Sequence, residues 1–196
     1  MELLHDIDAM QTRLVKKWHE QTPETEKKGF LGLVEEQHLQ NSLLWHEEDI
    51  ARATDVSDAE ITRVKRSIDG LNQRRNDLIE KLDEAILIWL AKSQIDMPIG
   101  APLNSETPGS MIDRCSIMAL KIYHMQEQAE RQDASEEHQQ KAAEKVKVLN
   151  TQRHDLFQCL FQLIEAVQQG TLQFKIYRQF KMYNDPSLNP KLYQAK

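Results

Sequence analysis

At 196 residues the chain is long enough to bury a core of its own without disulfides or structural metals. Its two cysteines, Cys115 and Cys159, form no disulfide framework and suit a reducing cytoplasm. A net charge of −6 argues against general nucleic-acid binding, and the most apolar run, Ala85–Ala91, is far too short to span a bilayer. No basic and apolar leader pattern opens the sequence, so the expected location is cytoplasmic.

The hydrophobic periodicity is helical almost throughout, and the expected fold class is all-α. A first helix is predicted over about Glu2–Glu20, with Leu4, Ile7, Met10, Leu14 and Trp18 at helical spacing. After the linker "TPETEKKG", a second helix covers about Phe30–Ala53. Ser57 and Glu60 form a capping box that opens a third helix, about Asp58–Gln94. That helix would be ~55 Å long, so a bend or break near Ala85 is expected. The Pro- and Gly-rich stretch "DMPIGAPLNSETPG" is the main loop. A fourth helix follows over about Ser110–Arg131, and a fifth runs from beyond Ser135 to just before Gly170. A sixth, short helix is placed at about Leu172–Met182, with Leu172, Ile176, Phe180 and Tyr183 as its apolar side, before an irregular tail. No alternating strand run is assigned.

Two segments are alike. "LNQRRNDLIEKL" (Leu71–Leu82) and "LNTQRHDLFQCL" (Leu149–Leu160) share six of twelve positions. An offset of 78 residues aligns Leu44–Leu90 with Ile122–Gln168 without a gap, and eleven of 47 positions are identical. The alignment runs through helix, turn and helix, which reads as one helical hairpin present twice, about 30–96 and about 108–169. Pairing the two copies buries the apolar stripe of each. The expected architecture is one domain, an antiparallel four-helix bundle with added N- and C-terminal helices, the last in a segment covering 171–196.

Arg75 and Arg153 fall in the middle of apolar stripes. A guanidinium there needs acceptors, either in an internal salt bridge that locks the register or in a bound phosphate or carboxylate. Asp69, Asn72, Asn76, Glu80 and Asp83 line one edge of the third helix. Such edges are commonly solvated faces, but short polar acceptors in a row also suit a divalent cation such as Mg²⁺, with Asp69, Glu80 and Asp83 as candidate ligands. The second copy replaces most of that edge (Lys147, Asn150, His154, Gln158, Phe161), so a site is expected on the side of the first copy. On the second helix His38, Asn41, Trp45, Asp49 and Arg52 share a face, with His46 beside them. The fourth helix places Asp113, His124 and Gln128 near one edge, with Arg114 and Lys121 beside them. Candidate ligand-binding residues are therefore Trp45, His46, Asp49, Asn72, Arg75, Asn76, Asp113, His124 and Arg153. A structural role is the alternative for His46 and His124, which correspond under the offset, and Cys115 is expected to be an inert core thiol. No nucleophile elbow, phosphate loop, dinucleotide fingerprint or zinc spacing is present.

The stretches "LLWHEEDIAR", "VKRSIDGLNQRRNDLIEKLD", "ETPGSMIDRCSIMALKIYHM" and "YRQFKMYNDPSLNP" together resemble the bacterial domain-of-unknown-function family 4254, over roughly Val34–Leu192. The resemblance implies a bacterial, soluble, mostly helical protein and an association with cell-surface polysaccharide genes; it implies no catalytic residues. Two functions follow as expectations. The first is a non-catalytic accessory that binds a protein partner through the bundle face or the basic, aromatic tail, where Tyr177, Phe180 and Tyr183 interleave with Arg178 and Lys181. The second is a metal-assisted enzyme or binding protein for a phosphorylated or sugar-nucleotide ligand. A homodimer is open in either case. A concave site at Asp49, Arg75, Asn76 and Asp113 would favour the ligand, and a fully packed bundle the accessory.

Overall fold

The computed structural model describes residues 2–180, 182 and 185–194. It is all-α: a 3-10 turn at Glu2–Leu4 leads into α1 (Ile7–Glu20), α2 (Gly29–Ile50), α3 (Asp58–Lys92), α4 (Pro108–Glu130), α5 (Glu136–Gln168) and a short α6 (Pro190–Tyr193). Among the described residues there is no strand, only an isolated bridge between Leu103 and Gln173.

The helix starts follow side-chain chemistry. Ser57 accepts from the Glu60 amide, and Ser135 accepts from the His138 amide. Thr107 and Ser110 form a reciprocal capping box that starts α4 at Pro108, two residues before the expected position. α3 is continuous through Ala85 to Lys92, without the expected break, because no proline or glycine interrupts that half.

α2 packs along α3 and α4 along α5; α4 also touches α1, α2 and α3. The main core joins Ile7, Leu14 and Trp18 of α1 to Leu82, Ile86 and Leu90 of α3, Ile112 and Cys115 of α4, and Leu160 and Ile164 of α5. A smaller cluster, Leu44, Val64, Ile68 and Leu71, closes the far end of α2 and α3. α2 is unusual: Glu35, Gln37, His38, Gln40, Asn41 and Ser42 are all buried, so its inward face is polar and must be satisfied by hydrogen bonds.

One predicted element is not formed. Residues 172–180 are extended rather than helical. Leu172, Phe174 and Ile176 turn inward while Lys175 and Tyr177 face out, a period of two rather than 3.6. Backbone bonds from Gln173 N to the Pro102 carbonyl and from Asn104 N to the Gln173 carbonyl tie this strap to the main loop. Arg178 then bonds Glu80 and Glu84 of α3. Helix does form later, at Pro190, where Asn189 caps the amide of Lys191. Lys181 and Tyr183, assigned to the sixth helix and its apolar side, lie outside the described residues.

Candidate functional site

Between the polar face of α2 and the helices α3 and α4 lies a cavity of about 410 Å³, within the size range of small-molecule sites. α2 lines it with Asn41, Leu44, Trp45, Glu48, Asp49 and Arg52, a single stripe at steps of three and four. α3 contributes Asn72 and Arg75, and α4 contributes Ile117 and Leu120. Leu44, Ile117 and Leu120 give an apolar floor, Trp45 an aromatic wall, and the rest a polar rim.

Arg75 is held by Asp113. Its Nε donates to Asp113 Oδ1 at 2.8 Å, and Nη2 donates to Oδ2. Asp113 is 4% exposed and is held in turn by the Gln37 amide and, at 2.9 Å, the Asn41 amide. The bidentate pair fixes the plane of the guanidinium. It engages only two of the five Arg75 N–H groups; Nη1 has no protein acceptor among the described residues. The Asp113 contact holds the Arg75 pKa above its ordinary value, so the group is a permanent cation.

Behind this pair runs a buried chain of hydrogen bonds. Asn41 Nδ2 donates to Ser116 Oγ at 2.9 Å, Ser116 Oγ lies 2.6 Å from His38 Nδ1, and His38 Nε2 lies 3.0 Å from the Gln11 carbonyl. Since a carbonyl only accepts, the proton sits on Nε2, and Ser116 donates to Nδ1. Burial pushes the His38 pKa down to about 3, so the imidazole is neutral. Ser116 and His38 are both fully buried, so this serine–histidine contact supports the helices and meets no solvent.

The chain ends on Arg153, which makes four hydrogen bonds and one ion pair. Nε donates to the Cys115 carbonyl, Nη1 to Thr12 Oγ1, and Nη2 to the Asp8 carbonyl and Gln11 Oε1, while Nη1 also forms an ion pair with Asp8 Oδ1 at 2.6 Å. The guanidinium also lies over the Phe157 ring at 5.3 Å. Arg153 therefore fastens α5 to α1 and α4. Cys115 is buried beside it, and desolvation lifts its thiol to about 12, which makes it inert.

The edge of α3 separates into individual roles. Asp69 is exposed and pairs with Lys65. Asn72 lines the cavity, whereas Asn76 is half-buried outside its lining. Glu80 holds Arg178 and the Gln179 amide. Asp83 is 2% exposed and accepts from Gly109 N at 2.6 Å, which docks the start of α4 on α3. That approach requires glycine: a Cβ at Gly109 would sit 2.5 Å from the Ile79 carbonyl oxygen. Asp69 and Asp83 are ~21 Å apart along the helix at 1.5 Å per residue, so Asp69, Glu80 and Asp83 share no ion. Among the described residues no group of three His, Cys, Asp or Glu side chains is placed to hold a metal.

Next to the cavity is an aromatic cluster. Trp45 stacks on His124 at 4.4 Å and 9° between planes. His19, His46 and Tyr123 surround them, with His19 4.2 Å from the Tyr123 ring centroid. His124 Nδ1 lies 2.9 Å from Glu127 Oε2, and desolvation lowers the His124 pKa. A second cavity, of about 470 Å³, lies on this side and shares Trp45 and Asp49 with the first.

The model of DUF4254, a family of proteins of unknown function, matches residues 31–176. The chain belongs to DUF4254. No curated protein and no solved structure matches it. Every residue lining the two cavities lies within the DUF4254 match, and the outer tail lies beyond it.

Of the residues expected to bind a ligand, the structure brings together Trp45, Asp49, Asn72 and Arg75, with Asp113 directly behind and His124 on the other side of Trp45. His46 is exposed in the aromatic cluster, and Arg153 belongs to the opposite end of the buried chain. Glu48, Ile117 and Leu120 were not expected to line a site, and Lys121 was placed beside the edge of the fourth helix without a binding role. The first three continue helical stripes already visible in the sequence; Lys121 is one turn before His124.

Proposed function

We propose that this DUF4254 protein is a binding module whose first cavity holds a small hydroxylated ring compound bearing an anionic group, the class that includes sugar phosphates and nucleotides. The observation that carries this reading is Arg75: a guanidinium pre-set by Asp113, lining a cavity, with Nη1 unused by the protein. Asn72 and Asp49 add an amide and a carboxylate for hydroxyl groups, and the indole of Trp45 adds a flat apolar wall. Glu48 and Arg52 neutralise each other at 2.7 Å on the rim.

Titration calorimetry with glucose 1-phosphate, adenosine 5′-monophosphate and uridine 5′-monophosphate tests it. Binding of at least one is expected, with loss of at least tenfold in Trp45→Ala and Asn72→Ala. Binding that both variants retain in full would place the ligand elsewhere.

A second reading is favoured by where apolar surface is exposed. Among the described residues Tyr177, Phe180, Met182, Leu188, Leu192 and Tyr193 are all exposed, with Phe180 at 84%. Residues 172–196 carry five Lys or Arg against one Asp. Such a tail suits an acidic protein partner. Truncation before Asp185 should abolish capture of that partner and leave the helices folded; loss of helical circular dichroism instead would make the tail structural.

A further inference from the structure

The second cavity carries chemistry of its own. It is lined by Trp45 and Asp49, which it shares with the first, and by Lys121, His124, Gln128 and Leu149 among others. Lys121 is exposed, and no carboxylate among the described residues lies within ion-pair distance of its ammonium group. The nearby acids are otherwise engaged: Glu127 with His124, Glu48 with Arg52, and Asp113 with Arg75. In the two cavities together Asp49 is the acid without an ion-pair partner and Lys121 the base without one. An exposed ammonium among the lining residues of a cavity with a partly apolar wall is a point-charge contact for a phosphate. Trp45 stands between the two spaces with one face covered by His124.

We infer that the two cavities are halves of one binding site straddling Trp45, in which Lys121 takes the phosphate of a phosphorylated ligand whose ring lies in the Arg75 half. The inference rests on the ligand-binding reading above and divides its work. Arg75, fixed by Asp113, donates from Nη1 to an oxygen of the ring half, Asn72 and Asp49 take its hydroxyl groups, and Lys121 holds the ligand's anionic group and so discriminates phosphorylated from unphosphorylated compounds. The ligand is accordingly a phosphate monoester of a sugar or nucleoside, long enough to reach from α3 to the α4 face of Trp45.

Matched pairs test this on the full-length protein: glucose 1-phosphate against glucose, and adenosine and uridine 5′-monophosphates against their nucleosides. In Lys121→Met, affinity for the phosphorylated member that binds should fall about tenfold, while its unphosphorylated parent binds as to wild type. Lys121→Arg should restore most of the difference, and raising salt should weaken wild type more than Lys121→Met. If Lys121→Met weakens both members equally, or neither, the phosphate is not at Lys121 and this inference falls while the binding reading stands. If wild type binds none of the pairs, the binding reading itself falls and takes the inference with it. Lys121 is exposed, so the variant is expected to fold, and an unchanged melting temperature confirms that.

Discussion

Arg75 and Arg153 occupy corresponding positions in the two similar helical segments, and each sits at the centre of an apolar stripe. Arg153 is 7% exposed and makes four hydrogen bonds and an ion pair with Asp8. Arg75 leaves a quarter of its side chain exposed, at 24%, and engages one carboxylate with two N–H groups. The difference lies in the neighbours. α1 lies across the α4–α5 hairpin and supplies Asp8, Gln11 and Thr12 to Arg153. α1 also touches α2, where the Gln11 carbonyl meets His38, but it gives Arg75 no acceptor, and beside Arg75 lies a cavity lined by α2, α3 and α4. A guanidinium engaged at every nitrogen is a fastener; one fixed on one side and open on the other is a recognition group.

The sharpest way to break this comparison is to remove each charge. Arg153→Met should cost about 3 kcal/mol of stability in urea denaturation, since it strands buried acceptors on α1 and α4. Arg75→Met should cost a similar amount, because Asp113 is left buried with only two amides. Only Arg75→Met should also abolish ligand binding at a temperature where both variants are folded. Equal loss of binding in the two would erase the distinction between fastener and recognition group.

A smaller effect is expected at Asp83, a carboxylate whose job is to hold α4 against α3. Burial lifts its pKa from 3.8 to about 6. Between those values the native protein retains a proton that the unfolded chain has released, so this group's contribution to stability declines as pH rises through the window. Asp83→Asn lacks that decline. Its stability relative to wild type should rise from about pH 4 to about pH 6 by on the order of 2 kcal/mol, read from paired denaturation curves. A constant difference across that range would mean that Asp83 is ionised throughout.

The smallest effect concerns the strap. Glu80→Gln with Glu84→Gln removes the contacts that hold Arg178. The melting temperature should stay put, since exposed pairs contribute little, while proteolysis after Lys175 or Arg178 speeds up. An unchanged cleavage rate would mean that Phe174 alone anchors the segment.

Much of the fold was legible beforehand. Five long helices, the serine caps of α3 and α5 and the buried stripes follow from periodicity and capping chemistry, which act within one turn of helix. The strap was misassigned because Leu172, Ile176 and Phe180 fit a step of four as well as a step of two; Phe174 at 2% exposure decides for the extended form. The row of acceptors on α3 suggested a metal edge, but its members are engaged separately: Asp83 by α4, Glu80 by the strap, Asp69 by Lys65 of α3 itself, while Asn72 lines the cavity.

The sequence by itself determined the helices, the polar stripe on α2 and the presence of two arginines needing acceptors, because these depend on local periodicity and the cost of an unpaired charge. Only the tertiary structure decided which arginine is closed and which is open. That depends on α1 supplying acceptors to Arg153 and none to Arg75, through contacts between residues more than a hundred positions apart, Asp8 and Thr12 with Arg153. No short-range pattern encodes it.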